Sequence, residues 1–380
     1  MTNDKEATDD VAALPAALDL GHDVVALTEQ LINIESVSDF ETPIADAVEA
    51  ALTRLPHLSV HRDGDSIIAR TGLGRSERII LAGHLDTVPL PTTPGSRGTV
   101  PATWEKGEDG EDVLYGRGTT DMKGGVAVQL ALAAALTEPN RDVTYVFYDH
   151  EEVEGHKSGL GRLYRNNPEL LGGDFAILLE PTDGTVEGGC NGTIRFRVTT
   201  RGKAAHSARA WMGENAIHGM ADVLTRLAVY RPVTVNVDGL AFRESLNAVK
   251  VSGGIAGNVI PDHCEAEINY RFAPDKDPDG AEEYIRALLP GYELERTDAA
   301  AGARPGLNHP AAAAFVETVG QVPKPKYGWT DVARFSAAGV PAVNFGPGDA
   351  LLAHSDDEHV SANAIRACYG SLYEWLTAQQ

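Results

Sequence analysis

Three apolar runs in the first half of the chain each end on acids or a histidine, and this limits the fold more than any other feature. Arg78–Ala82 leads into Gly83-His84-Leu85-Asp86. Val143–Tyr148 leads into Asp149-His150-Glu151-Glu152, and Phe175–Leu179 into Glu180-Pro181. Runs this short, rich in β-branched and aromatic residues, read as buried strands. Helical patterns lie between and before them. Val24, Leu27, Leu31 and Ile34 share one face over about 22–35, a second helix follows the start signal Ser38-Asp39 over about 42–55, and Val126–Leu136 reads as a buried helix. Strands alternating with helices mean an α/β fold with a mixed, mostly parallel sheet. Ligands bind past the carboxyl ends of strands in such sheets. His84, Asp86, Glu151, Glu152 and Glu180 are therefore expected to converge on one crevice.

The pattern changes near residue 193. Thr193–Thr200, Ala248–Val251, Cys264–Phe272 and Tyr292–Leu294 read as strands, with helices over 215–229 and 280–289. That order, βαββαβ, is ferredoxin-like. Helix, strand and helix then return over 311–319, 342–345 and 361–377. We therefore expect an α/β domain formed by 1–192 and 306–380, interrupted by a βαββαβ domain over 193–305. Residues 1–20 read as a poorly ordered lead-in, and Pro91 to Asp112, rich in Pro, Gly and charge, as a long surface loop.

Composition excludes several functions. The 380 residues suit two domains, and 55 acids against 32 bases give a net charge of −23. Nucleic acid and anionic membranes both need a basic surface, so neither is an expected partner. Cys190, Cys264 and Cys368 are too few and scattered for a disulfide framework, which points to a reducing cytoplasm. Met1 to Asp10 carries four acids and one lysine, unlike a signal peptide. The longest uncharged apolar stretch, Gly124 to Thr137, is shorter than the ~18 residues of a membrane span.

The polar groups admit plain readings one at a time. His84 and Asp86 share a face of an extended segment, where a carboxylate can orient a ring or both can be solvated. Asp121, in GRGTTDMKGG, could simply cap a helix. Glu151 and Glu152 repel each other unless something positive is near. Paired with a cation, one would bind it and the other would move protons. Around His354, the acids Asp356, Asp357 and Glu358 fit a hydrophilic surface turn. Together these residues offer nitrogen and oxygen donors without cysteine, a set that suits zinc, with cobalt or manganese as substitutes.

Five motifs stand in order: GHLDTVP (83–89), GRGTTDMKGG (116–125), the Glu pair 151–152, LEPTDG (179–184) and AHSDDEHV (353–360). On these the chain resembles the dinuclear-zinc amidohydrolases and exopeptidases, a family that includes desuccinylases, deacetylases, aminoacylases and carboxypeptidases. The resemblance runs from about His22 to the C-terminus. It implies a zinc-exopeptidase-like catalytic domain and a ferredoxin-like lid that also dimerises. It implies that His84, Asp121 and Glu180 hold one Zn²⁺ and that Asp121, Glu152 and His354 hold the other. Asp86 would orient His84, and Glu151 would be general base and then general acid. The bond after Asp121 would be cis. In one departure, His150 stands where relatives often carry Asp before the Glu pair.

The resemblance also implies that His206 stabilises the oxyanion in the partner subunit of a homodimer, and that Asn258 and Arg271 bind substrate carboxylates. Thr330, Arg334 and Gly346 would line the same pocket. The stretch GWTDVARF (328–335) is most similar to the desuccinylase branch of actinobacterial type. The substrate implied is therefore a small N-acyl amino acid, and first an N-succinyl-diaminopimelate. Other N-acyl-amino-acid deacylases and metallo-dipeptidases are the alternatives within the class. A binding protein that kept only the fold is the alternative outside it. The acidity of the whole chain does not exclude an acidic substrate, because bound cations dominate the local charge.

Overall fold

A computed structural model describes residues 17–21 and 23–378. The expected lead-in over 1–20 lies mostly outside the described residues. The chain divides into two compact units. One runs to Gly172 and takes up Leu179–Gly184 and Gly346 onward; the other holds Gly173–Leu178 and Thr185–Phe345.

In the first unit four strands lie in the order Ser59–Asp63, Ser66–Arg70, Asp142–Tyr148, Arg78–His84. The first two pairings are antiparallel and the third is parallel. Arg78–His84 and Asp142–Tyr148 are almost wholly buried, which is why both read as near-continuous apolar runs. Their register pairs His84 with Tyr148, so both strands deliver their polar ends at one level. Leu85 N–H then donates to Tyr148 O at 2.7 Å, and Leu179 N–H to Ala82 O at 2.9 Å. The second bond brings Glu180 to the same end. The helices Val24–Ile32, Gly124–Ala135 and Ala362–Thr377 pack together in this unit.

The loop expected over 91–112 is only partly a loop. Thr103–Lys106 and Asp112–Tyr115 form strands that pair antiparallel, and His359–Ser361 joins the second of them. Their short, charged sequences carry too little periodicity to read. This small sheet sets the 353–360 motif beside Gly116–Gly125, with His359 opposite Tyr115.

In the second unit Phe175–Leu178 pairs parallel with Ala342–Asn344. A four-stranded antiparallel sheet lies in the order Ser245–Gly253, His263–Phe272, Gly192–Arg201, Glu293–Ala300. With helices Ala221–Val229 and Pro278–Leu288 the chain order is βαββαβ, as expected. Period-two alternation puts Ile194, Phe196 and Val198 in one core with Ile268, Tyr270 and Phe272. The opposite face is polar. The α/β class with a mixed sheet agrees with the sequence reading.

Candidate metal centre

The proposed donors of the first unit come together. His84, Asp121 and Glu180 each offer a ligand atom within 4.8 Å of the others, and so do Asp121, Glu152 and His354. Asp121 belongs to both trios. Its Oδ1 lies 3.0 Å from His84 Nε2, and its Oδ2 lies 3.3 Å from His354 Nε2. His354 Nε2 also lies 3.0 Å from Glu152 Oε1. Glu151 forms a third trio with His84 and Glu152. The Asp121–Met122 bond is cis.

His84 is oriented differently from the expectation. The ring Nδ1 meets the main-chain carbonyl of Asp86 at 2.9 Å, whereas the Asp86 carboxylate lies 3.6 Å away. That carboxylate holds the Glu pair instead. Its Oδ1 accepts the N–H of Glu151 and its Oδ2 the N–H of Glu152, each at 3.0 Å, and Ser38 Oγ donates to Oδ2 at 2.8 Å. One buried acid thus fixes the turn that aims both glutamates.

The His150 departure leaves the Glu pair in place. His150 takes a left-handed φ of 58° and its ring Nδ1 pairs with Asp149 at 2.7 Å. Asp149 in turn accepts from Ser66 at 2.5 Å and from Arg162 at 2.6 Å. The acid one position earlier is therefore spent on the scaffold.

The electrostatics suit a cation. Burial disfavours a charged His84 ring, but Asp121, Asp86 and Glu180 outweigh it and hold the pKa well above the usual imidazole range. Hydrogen bonds to Asp121 and Glu152 push His354 up to about 10. Burial raises Glu152, whereas Asp121 falls because its two imidazole partners outweigh burial. In effect the carboxylates draw protons onto two histidines to balance their charge. A divalent ion would supply that charge, and oxygen and nitrogen donors without thiolate fit zinc, cobalt or manganese.

Two glycines seat Glu180. A Cβ on Gly125 would stand 2.2 Å from Leu179 O, and one on Gly346 would stand 2.4 Å from Glu180 O. Gly346, expected to line a substrate pocket, is packed against the main chain of Glu180, a candidate metal donor. Helix propensity alone favours alanine over Gly125 by about 1 kcal/mol. Overpacking against a carbonyl costs about 1–3 kcal/mol and reverses the sign. Gly125→Ala is expected to lower unfolding stability in urea by up to about 2 kcal/mol, the overpacking cost less the propensity gain, and to weaken metal retention. An unchanged midpoint and metal content would show that the loop has room.

Sequence reasoning missed Glu358. It is not on a surface turn but 1% exposed, paired with Arg117 at 2.7 Å. The signal available was its apolar neighbour Val360 at strand spacing; charge density in SDDEH obscured it.

The remaining candidates lie in the second unit. His206 is exposed, and its Nδ1 accepts from Ala208 N–H at 3.1 Å, leaving Nε2 as the donor. The Ala205–His206 strand pairs with Val259–Ile260, and Ser207 N–H donates to Asn258 O at 2.9 Å, so His206 and Asn258 are neighbours. Arg271 is part-buried; its Nε donates to Asn269 at 3.1 Å, and its two terminal nitrogens make no hydrogen bond among the described residues. Burial and the nearby Arg195 lower its pKa. Thr330 is buried and donates to Asn344 at 2.9 Å. Arg334 Nε donates to Asp331 at 2.5 Å, with Trp329 5.5 Å from the guanidinium. The last two side chains therefore already have protein partners.

Comparison with known proteins agrees with this picture. The model of peptidase family M20/M25/M40 matches residues 80–378. A protein of Mycobacterium tuberculosis named "Putative succinyl-diaminopimelate desuccinylase DapE" is 50% identical over 362 residues, covering 94% of this chain and 99% of its own. The "Succinyl-diaminopimelate desuccinylase" of Corynebacterium glutamicum is 42% identical over 375 residues, covering 96% and 99%. Among solved structures, a tripeptidase from Staphylococcus aureus shares the fold with a TM-score of 0.75 at 19% identity, covering 95% of this chain and 98% of that one. Five motifs in register, two overlapping donor trios and the family match over most of the length lead to one conclusion: the chain belongs to peptidase family M20/M25/M40.

Proposed function

We propose that this chain is a cytoplasmic, dinuclear-metal amidohydrolase that cleaves N-succinyl-LL-2,6-diaminopimelate to succinate and LL-2,6-diaminopimelate, a step of lysine and diaminopimelate synthesis. The observation that carries the chemistry is Asp121 standing in two donor trios at once. The names of the two relatives at 50% and 42% identity support the substrate.

His84, Asp121 and Glu180 would hold one Zn²⁺, and Asp121, Glu152 and His354 the other; Co²⁺ or Mn²⁺ would substitute. When bound, such ions polarise the amide carbonyl and acidify water. Glu151 takes the proton of the attacking water and returns it to the leaving amine. Asp86 holds Glu151 at the required place through its amide. The free fork of Arg271 suits bidentate binding of a substrate carboxylate. Asn258, Thr330, Arg334 and Gly346 are the further substrate contacts of this reading.

Residues 193–305 would serve as lid and dimerisation domain of a homodimer. Strand Ser245–Gly253 supports this, since it is a sheet edge with Val249 and Val251 exposed. Unpaired edges are templates for a second chain. His206, with Nε2–H free, would donate to the oxyanion across that dimer. Its replacement by alanine is expected to lower kcat by about 10²–10³-fold, as for an oxyanion donor, with metal content unchanged. Mixed dimers with Glu151→Gln subunits should recover part of the activity. Verified mixed dimers without recovery would place His206 outside the partner's site.

The substrate assay compares kcat/KM for N-succinyl-LL-diaminopimelate, N-acetylornithine and simple dipeptides. The succinyl substrate is expected to lead by about 10²-fold or more, since a site with buried polar groups discriminates strongly against analogues that leave them unpaired. A preference for either other substrate overturns the assignment and leaves the amidohydrolase class standing.

A further inference from the structure

Glu358 does more than fill a polar gap. Its Oε1 accepts the main-chain N–H groups of Thr120 and Asp121, each at 3.0 Å. Its Oε2 accepts from Arg117 Nη1 at 2.7 Å, and the same Nη1 donates to Ser355 O at 3.2 Å. Both charged side chains are buried, at 1% and 3% exposure. Gly116 N–H donates to Glu358 O, and Thr120 Oγ1 to His359 O at 2.6 Å. Every one of these bonds joins the loop that carries Asp121 to the loop that carries His354.

The two ends matter individually. One bond falls on the amide of Asp121 itself. Another falls on the carbonyl just after His354, whose φ of 63° is left-handed. A non-glycine residue in that region persists only when its surroundings hold it there. The side chains so held meet at 3.3 Å, His354 Nε2 to Asp121 Oδ2. A buried carboxylate–guanidinium pair is weak evidence for stability, because desolvation offsets much of its attraction. Its placement therefore points to another role.

We propose that the Glu358–Arg117 pair is a positioning device for the candidate metal centre, fixing the distance between the Asp121 and His354 donors. The proposal rests on the metal reading above. Removing an outer partner of a metal ligand typically costs 10–100-fold in affinity. Asp121 feeds both trios and His354 only one, so the loss should be uneven.

The test is chelator competition with zinc on wild-type chain and Glu358→Gln, with the visible spectrum of the cobalt-loaded forms. Glutamine keeps the volume but cannot accept from two amides and the guanidinium together. The expected result is a folded variant whose weaker metal equivalent is lost about 10–100-fold more readily, with an altered cobalt spectrum. At saturating metal, kcat should fall while KM stays within about twofold, as for a group acting only through the reacting centre. If Glu358→Gln does not fold, Arg117→Met tests the link from the other side, keeping the amide bonds and losing the one to Ser355. A folded variant with both equivalents at wild-type affinity and an unchanged cobalt spectrum overturns the proposal. A wild-type chain that fails to bind two equivalents overturns instead the metal reading beneath it.

Discussion

Glu151→Gln is expected to leave the chain folded and able to hold metal while turnover falls by about 10²–10⁴-fold, the usual contribution of a positioned general base. The substitution is nearly isosteric and keeps the main-chain N–H that donates to Asp86, so the turn that aims Glu152 survives. What it removes is the ability to accept a proton. The geometry makes this a real choice. Glu151 forms a trio with His84 and Glu152, so a ligand role is also within reach. The two roles separate cleanly by metal content and rate measured on one sample. A base gives full metal and lost turnover. A ligand gives both lost together. Near-normal turnover with full metal would move the proton chemistry to another group.

Strands were the most legible part of the chain, and for a physical reason. Arg78–His84 and Asp142–Tyr148 are buried on both faces, so selection for apolar residues left long unmixed runs. The polar residues that close such runs, His84, Glu152 and, after Phe175–Leu179, Glu180, stood out as candidates before any geometry, although each also admitted a plain reading. Thr103–Lys106 was illegible because all four of its residues are exposed. The role of Asp86 was half legible. Sequence spacing placed it beside His84, but strand alternation could not show that its carboxylate turns toward two amides 65 and 66 residues away. Glu358 was hidden by its neighbours, since a buried acid among exposed ones has no compositional mark. In the second unit the ferredoxin-like order was clear from alternation. There the Thr330–Asn344 bond is set by tertiary packing and leaves no mark in the sequence, whereas the Asp331 partner of Arg334 stands only three residues before it.

The sharpest separation among the donors is expected at Asp121. Asp121→Ala should bind neither metal equivalent tightly, whereas His84→Ala and His354→Ala should each keep one. The reason is that Asp121 presents Oδ1 to His84 and Oδ2 to His354, and no other side chain belongs to both donor trios. Heat unfolding reads this without any substrate. A ligand that binds only the folded state stabilises it by RT ln(1 + [L]/Kd), about 4 kcal/mol at a thousandfold excess over Kd. Zinc should therefore raise the unfolding temperature of the wild-type chain and a chelator should lower it again. Each histidine variant should show a smaller rise, and Asp121→Ala almost none. The metal-free form of Asp121→Ala should be less stable than metal-free wild type, because His84 loses its Asp121 partner while His354 keeps only Glu152, so each variant's zinc-dependent rise is measured against its own metal-free form. If instead Asp121→Ala keeps a full zinc-dependent rise, the ions are not shared through Asp121, and the two trios would have to be read as alternative single-ion sites around His84 and His354.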